Sequence, residues 1–188
     1  MPVGSLVTAS PRFKNRGPPA KISSVEGDHS VDTVITCDIG CFPELAVSGP
    51  VVMAVDERMV FSFNATRLTQ DGRRADAGRA VVKVAPCLAF KFGHPNDEAL
   101  PGHPLYDRGF EGVAVYEVLE SSWVAELARQ NRIKFPNFDL SGWGVRHFLF
   151  SFHESTLEVL GDSLDVSVSE EPFAVIVNRM QSWLLSDA

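Results

Sequence analysis

The apolar residues of this chain fall mainly in runs of four to eight, separated by turn-forming residues, and this spacing constrains the fold most. Short apolar runs bounded by glycine, proline, asparagine and aspartate are typical of β-strands. The predicted strands are Asp32–Asp38, Val51–Val55, Met59–Thr66, Arg79–Ala85, Leu88–Phe92, Val113–Glu120, Val145–His153, Leu157–Leu160 and Leu164–Val168. They predict an α+β fold of mainly antiparallel sheet, arranged as a sandwich or a partly open barrel with one or two packed helices.

The run Val145–His153 alternates strictly between two kinds of residue. Successive side chains of a strand point to opposite faces of the sheet. Three phenylalanines therefore share one face, which we expect to face the core. The opposite face carries His147 and His153, which either line a cleft or meet water.

Two segments have a helical period instead. The first runs from Ser122 to about Arg132, with Ser121 or Ser122 as its N-cap. The second begins at Pro172 and spaces its apolar residues at intervals of three and four, which predicts a packing face. This 172–185 helix is also the most natural interface for a homo-oligomer. Between strands, Pro86 cannot donate to a sheet ladder, so we expect the run Arg79–Phe92 to break or bulge there or to lie at a sheet edge.

The domain organisation follows from length and composition. Residues 1–20 are rich in proline and glycine and have no period, which predicts a flexible N-terminal arm before one globular domain over 21–188. No apolar run approaches the ~20 residues of a membrane span, and the N-terminus lacks the pattern of a secretory signal. Three cysteines are an odd number, which argues against a disulfide framework. A cytoplasmic protein that does not bind membranes is expected.

The charge balance and the missing motifs exclude several functional classes. A formal net charge of −7 opposes binding to a phosphate backbone, so nucleic acid is not an expected partner. The chain has no G-x-S-x-G, no G-x-x-x-x-G-K-[ST] and no G-x-G-x-x-G after a strand. Nucleophile elbows and phosphate-binding loops of the known kinds are therefore not predicted.

Residues 93–112 form the most informative segment, because they have neither a strand period nor a helical one. Loops of this length in compact domains are usually functional or disordered. Apolar anchors such as Leu105 and Phe110 argue against disorder, and His94 and His103 each precede a proline, which favours extended backbone. The loop is predicted to be ordered and to hold its polar groups in place.

Candidate site residues come from this loop and from the histidine-bearing strand. The candidate binding residues are His94, Asn96, Asp97, Glu98, His103, Tyr106, Arg146 and His147. A carboxylate within reach of an imidazole could serve as general acid or base. Plainer roles remain open: the acidic residues suit the first turn of a short helix, the imidazoles suit hydrogen bonds to loop carbonyls, and Arg146 suits an ordinary ion pair.

A metal site is not predicted. His147 and His153 lie six residues apart on one strand, so roughly 20 Å separates them at ~3.3 Å per residue. Zinc needs three or four ligand atoms at ~2.0–2.2 Å, and the chain has no His-x-His pair. The sequence names no catalytic residue and leaves the cofactor open.

Two blocks of the chain resemble a paired pattern in small bacterial proteins. The blocks are FGHPNDEALPGHPLY, which ends at Tyr106, and RHFLFSFHESTLEV, which starts at Arg146. The pattern has the form F-G-x-P-N-D-E-A-x-x-G-H-P-L followed by R-H-F-x-F-x-F-H-[DE]-S. The resemblance implies a bacterial source and a structural association between the loop and the phenylalanine strand, and it brings no activity to any residue.

Two functional hypotheses follow from these patterns. The first is a non-catalytic binding or regulatory module, in which the 93–112 loop and the histidine-bearing strand form a recognition surface for a small polar ligand or a protein partner. The alternative is a hydrolase or lyase on a small polar substrate, with His103 or His147 and Asp97 or Glu98 as acid and base, with or without a metal.

Overall fold

The computed structural model describes residues 32–186 of the 188-residue chain. The predicted arm over 1–20, the start of the predicted domain at 21–31 and His29 lie outside the described residues. The strands are β1 Thr33–Thr36, β2 Phe42–Pro43, β3 Val51–Val55, β4 Arg58–Leu68, β5 Arg74–Val84, β6 Cys87–Gly93, β7 Val115–Leu119, β8 Arg146–Ser151, β9 Thr156–Gly161 and β10 Asp165–Ser169. The α-helices are α1 Ser122–Arg132 and α2 Phe173–Leu185.

The strands form two antiparallel sheets. The first sheet has the order β1-β7-β8-β9-β6, and the second has the order β10-β5-β4-β2 with β3 also paired to β4. Neither sheet closes on itself, so the fold is an α+β sandwich, and of the two predicted arrangements the barrel is not the one adopted.

Aromatic rings fill the space between the sheets. Phe61 and Phe63 of β4 face Phe150 of β8 and Phe152, and these four side chains are fully buried. The rings of Phe61 and Phe150 meet edge to face, with their centroids 4.7 Å apart. The predicted inward face of the phenylalanine strand is confirmed.

Pro86 marks the point where the chain passes from one sheet to the other. β5 ends at Val84 in the second sheet, and β6 begins at Cys87 in the first. Proline has no N–H for a ladder hydrogen bond, so the sheet pairing cannot run through this position. The predicted break at Pro86 is confirmed. Because of this break, the two parts of one apolar run, β5 and β6, lie in different sheets.

The helix α2 covers the outer face of the second sheet. Its residues Ile176, Met180 and Leu184 are buried against Val60 of β4 and Val81 of β5. The apolar face predicted from the helical period therefore packs within the chain, and an oligomer contact through this helix stays a prediction. No helix in the range 32–186 has the length and apolarity that crossing a bilayer requires.

The long loop and α1 cover the outer face of the first sheet. Two 3₁₀ helices, Asp97–Gly102 and Tyr106–Arg108, give the loop its shape, and the Asn96 side chain caps the first by accepting from Ala99 N–H. The plainer prediction for this segment, the cap and first turn of a short helix, is thus confirmed. The loop's apolar anchors form one cluster with the sheet, made of Val34, Leu100, Leu105, Phe110, Tyr116, Val118 and Leu149.

Candidate functional site

His147 lies on the outer face of β8, beneath the first turn of α1, and only 2% of it is exposed. Its Nδ1 is 2.9 Å from Oγ of Ser121, the N-cap of α1. The same Oγ accepts a hydrogen bond from Val124 N–H at 3.2 Å. Because the hydroxyl still has its hydrogen to donate, it can bond to Nδ1, which places the proton of the neutral imidazole on Nε2.

Glu158 lies next to His147 on the same face, one strand away on β9. Its Oε2 is 3.0 Å from Nε2 of His147, and its Oε1 is 3.2 Å from Nζ of Lys91 on β6. The ring N–H does not point along the line to Oε2, so Nε2 has no aligned hydrogen-bond partner among the described residues. Nε2 of His103 is 3.8 Å from Oε1 on the other side. We call Glu158, His147, His103, Lys91 and Ser121 the Glu158 cluster.

The charges of the cluster follow from burial and from these neighbours. Burial raises the pKa of Glu158, but His147 and Lys91 outweigh this effect and hold the pKa below its usual range. Burial lowers the pKa of His103 by more than the negative charge of Glu158 raises it. At neutral pH the cluster therefore holds an ionised carboxylate beside a neutral His103, with Lys91 supplying the counter charge.

The long loop orients His103. Its Nδ1 accepts a hydrogen bond from Leu105 N–H at 3.2 Å, and its ring meets the Phe110 ring edge to face with the centroids 4.9 Å apart. Because Nδ1 is an acceptor, the proton of the neutral ring lies on Nε2, the nitrogen that faces Glu158.

Trp123 contacts two members of the Glu158 cluster, Lys91 and His147. Nζ of Lys91 is 3.8 Å from the centroid of the Trp123 ring, within the range of a cation–π contact. The same indole meets the His147 ring edge to face at 5.2 Å. Trp123 therefore contacts both of the residues that lie closest to the Glu158 carboxylate.

A pocket of about 610 Å³ opens beside Ser121 and His147, and we call it the α1 pocket. It lies between α1, the end of β7 and the start of β8. Its lining residues are Glu117, Val118, Leu119, Glu120, Ser121, Val124, Ala125, Ala128, Arg132, Asp139, Leu140, Val145, Arg146 and His147. Half of these are aliphatic and form an apolar wall, and the rest are one hydroxyl, one imidazole, three carboxylates and two arginines.

The arginines that line the α1 pocket already have partners. Nε of Arg146 donates to Oε1 of Glu117 at 2.8 Å, and this hydrogen bond is the main reason that the pKa of Glu117 lies below its usual range. Nε of Arg132 donates to the carbonyl of Phe138 at 2.9 Å. Neither arginine therefore presents a fully unpaired cation to an anionic ligand.

A second pocket of about 520 Å³ surrounds Arg79. The Arg79 guanidinium donates to Oγ of Ser62, to Oδ1 of Asn64 and to the carbonyl of Gly49, and it stacks on the Phe173 ring. Its donors are committed within the chain, so this pocket is a weaker candidate than the α1 pocket.

The structure brings together some of the residues predicted from the sequence. His103 and His147 converge on Glu158, and His147 and Arg146 both line the α1 pocket. Arg146 forms the ordinary ion pair named as its plainer role. Tyr106 packs against the apolar cluster under the loop.

The other predicted residues lie apart from this cluster. Asp97 pairs with His153 at 2.7 Å, beyond the end of β8, and Asn96 serves as the helix cap described above. His94 and Glu98 are exposed. Of the candidate binding residues, His103 and His147 thus meet at Glu158, Asp97 lies at a separate contact, and His94 is at the surface.

Sequence reasoning missed Glu158, Lys91 and the role of Ser121 as the partner of His147. Glu158 is the one charged residue in the apolar run Leu157–Leu160, and a carboxylate in a strand that is buried on both faces needs a partner. The sequence therefore signalled a buried charge that needs a partner, whereas the identity of that partner depends on the pairing of β8 with β9. Lys91 and Ser121 come close to it only through the tertiary fold.

Within the described range, no group of three or more histidine, cysteine, aspartate or glutamate side chains is arranged to hold a metal ion. Comparison with protein-family models, with curated proteins and with solved structures finds no match to this chain.

Proposed function

We propose that this protein is a binding module for a small molecule that enters the α1 pocket and contacts Ser121 and His147. The observation that carries the proposal is the position of this hydroxyl–imidazole pair at the wall of a pocket of about 610 Å³, a size typical of small-molecule sites. Perturbed, buried ionisable groups behind a pocket are a frequent mark of functional sites.

The lining of the pocket favours a neutral ligand with an aliphatic body and one polar group. The aliphatic wall, with Val124 and Val145 among its residues, would bury the body. The polar group would bond to Oγ of Ser121, since the arginines of the pocket are engaged. The ligand class is therefore less polar than the small polar ligand expected from the sequence.

The proposal divides the recognition surface expected from the sequence into two parts. The histidine-bearing strand β8 supplies His147 to the pocket, whereas the 93–112 loop supplies none of its lining. The loop contributes to the site indirectly, because it holds His103 next to Glu158. A protein partner for the exposed surface of the loop stays a proposal without a contact to support it.

The expected compartment and source also stay proposals. All three cysteines are free thiols, and burial raises the pKa of Cys87 to about 11, so this thiol is protonated and unreactive at neutral pH. Reduced thiols favour the cytoplasm. A bacterial source is supported by the resemblance of the two sequence blocks.

Binding can be tested with hexanamide as a neutral probe and hexanoate as its anionic counterpart. We expect hexanamide to shift the ¹H–¹⁵N resonances of Val124 and Ala125 in a saturable way, with hexanoate binding more weakly. Ala125→Trp should abolish the shifts, because Ala125 is exposed and lines the pocket. Gln130→Trp, at an exposed position of the same helix outside the pocket, is the control and should leave them unchanged.

Two outcomes contradict the proposal. One is the absence of saturable shifts with both probes at concentrations of tens of millimolar. The other is binding that Ala125→Trp and Gln130→Trp affect equally, because the ligand would then lie elsewhere.

A further inference from the structure

Ser121, His147 and Glu158 stand in the order of a proton relay. The Ser121 hydroxyl is 2.9 Å from one nitrogen of the ring, and the carboxylate is 3.0 Å from the other. Serine hydrolases use the same order, in which a hydroxyl donates to an imidazole whose second N–H faces a carboxylate. Here Nδ1 faces the serine and Nε2 the carboxylate, so the ring is turned over relative to the usual arrangement, and the Nε2–H is not aligned with the carboxylate oxygen 3.0 Å away.

We propose that this relay hydrolyses neutral esters or thioesters that have a short aliphatic acyl chain. The proposal rests on the proposed function, because the substrate's acyl chain would occupy the α1 pocket. Ser121 is the nucleophile and His147 the general base, and both line that pocket. Glu158 is a positioning residue that acts through His147.

The chemistry balances with water as the only co-reactant. As Oγ of Ser121 attacks the carbonyl carbon, the hydroxyl proton passes to Nδ1 of His147 and the carbonyl π electrons move to oxygen. Collapse of this adduct breaks the bond to the leaving alkoxide or thiolate, which takes the proton from Nδ1 and leaves an acyl-serine. A water molecule then attacks the acyl carbon by the same route, releasing the carboxylic acid and restoring Ser121.

The position of Ser121 at a helix end favours the transition state. Ser121 is the N-cap of α1, an eleven-residue helix, and the first N–H groups of a helix carry partial positive charge. Two of these groups are already engaged, because Ser122 N–H donates to Oδ1 of Asp32 at 2.6 Å and Val124 N–H donates to Oγ of Ser121 at 3.2 Å. The remaining partial positive charge of the helix end would stabilise an oxyanion that forms on the carbon bonded to Oγ.

The environment of Glu158 suits a positioning role. Glu158 stays ionised because His147 and Lys91 hold its pKa low, and its negative charge would stabilise the imidazolium that forms when His147 takes the proton. His103 faces the other carboxylate oxygen and is neutral. It therefore does not compete with the His147 imidazolium for the negative charge of Glu158. Nε2 has no aligned partner in the described residues, and Oε2 of Glu158 lies 3.0 Å from it.

A helix cap alone does not account for this arrangement. Ser121 caps α1 by accepting from Val124 N–H, and that role needs neither a buried imidazole nor a carboxylate behind it. Burying Glu158, His103 and His147 costs free energy of desolvation that an apolar cluster would not. Such costly groups next to a pocket are characteristic of sites that carry out chemistry.

The decisive experiment measures hydrolysis of p-nitrophenyl butyrate and labelling by phenylmethanesulfonyl fluoride. We expect turnover by the wild-type chain and one sulfonyl group per chain, located on Ser121 by peptide mass spectrometry. Ser121→Asp keeps an oxygen acceptor for the helix cap but removes the nucleophile, and it should lower kcat/KM by at least about 100-fold. Ser122→Ala, the neighbouring exposed serine, is the control and should keep wild-type kcat/KM.

Glu158→Gln tests whether Glu158 positions His147 for catalysis or only stabilises the fold. The variant should lower kcat by at least about 10-fold with little change in KM, because the amide cannot stabilise the imidazolium. An equal loss in the positioning variant and in a destabilised core variant such as Val159→Ala would contradict this role.

The outcomes also separate this proposal from the binding proposal. Saturable hexanamide binding without turnover and without labelling of Ser121 would overturn the hydrolase and leave the binding module standing. Labelling or turnover that persists in Ser121→Asp would overturn the assignment of the nucleophile. Turnover that depends on Ser121 and is unaffected by Ala125→Trp would support the relay and contradict the α1 pocket as the binding site.

Discussion

Nδ1 of His153 lies 2.7 Å from Oδ2 of Asp97, and Asp97 N–H donates to the carbonyl of His153 at 3.0 Å. These two contacts join the start of the long loop to the chain that follows β8. The hydrogen bond and charge of Asp97 raise the pKa of His153. The Asp97–His153 contact, which joins the loop that holds His103 to the end of β8, therefore depends on pH.

The first prediction concerns the pH dependence of this contact. A histidine whose folded pKa is raised adds stability that is fully present below its unfolded pKa of about 6.5 and is lost as pH rises through the folded value. His153→Gln should therefore lower the free energy of unfolding more at pH 5.5 than at pH 9, as measured by urea denaturation. His94→Gln, at an exposed histidine of the same loop, is the control. A deficit of the same size at both pH values would contradict the ion pair.

The second prediction tests the interface between the sheets. Phe150 is fully buried against Phe61, so Phe150→Ala should lower the free energy of unfolding by about 3–5 kcal/mol. Phe92→Ala, at a residue of β6 that is 46% exposed, should cost less than about 1 kcal/mol. Similar losses in the two variants, measured by chemical denaturation, would mean that Phe150 is not part of a packed core.

The third prediction tests the packing of the long loop against β1. Gly109 has φ of 106°, and an added Cβ would lie 2.5 Å from the carbonyl oxygen of Val34. Gly109→Ala should therefore destabilise the protein by about 1–3 kcal/mol and increase amide exchange in residues 97–110. Gly102→Ala, in the same loop with open space around the added Cβ, should have little effect. Unchanged exchange in Gly109→Ala would contradict the close approach to Val34.

The fourth prediction compares two carboxylate–lysine pairs, one with a nearly buried carboxylate and one with an exposed carboxylate. Glu158→Gln leaves the half-exposed Lys91 without its counter charge and should cost about 1–3 kcal/mol at pH 7. Asp165→Asn removes the exposed pair with Lys83, which has a similar length of 3.3 Å, and should cost less than about 1 kcal/mol.

The stability difference between wild type and Glu158→Gln should also change with pH in a definite direction. The folded pKa of Glu158 is lowered, so its ionisation adds stability above the unfolded pKa of about 4.3, and this stability is lost as pH falls through the folded value. The difference between wild type and Glu158→Gln should therefore shrink in acid. A difference that grows below pH 4 would contradict an ionised Glu158 in the folded protein.

The mainly antiparallel α+β fold was predictable because its signals are local, whereas the same signals leave open the choice between a sandwich and a barrel. The alternation of Val145–His153 decides which side chains enter the core, and Pro86 decides where one sheet must give way to the next. Helix boundaries were also close, since α1 begins at Ser122 as predicted with Ser121 as its cap. Pro172 is the residue before α2 rather than its first helical residue, a difference of one position.

The site was predictable only in part because it depends on which strands pair. Alternation placed His147 on the outer face, and the prolines of the loop indicated an ordered cover. The pairing of β8 with β9 and of β9 with β6 then brings Glu158 and Lys91 to His147, and no local pattern shows these pairings. His147 and His153 have different partners, because the strand ends at Ser151 and His153 pairs with Asp97 beyond that end.

The protonation of the His147 ring tests the central claim most directly, because the Ser121 hydroxyl can donate to Nδ1 only if Nδ1 carries no proton. Long-range ¹H–¹⁵N correlation spectra at pH 8 report the state of each ring nitrogen. We predict a His147 ring that carries its proton on Nε2 and accepts from Ser121 at Nδ1, with an Nδ1 shift that changes in Ser121→Ala and not in Ser122→Ala. A ring protonated at Nδ1, or at both nitrogens, would contradict the account of this site as a hydroxyl–imidazole–carboxylate relay.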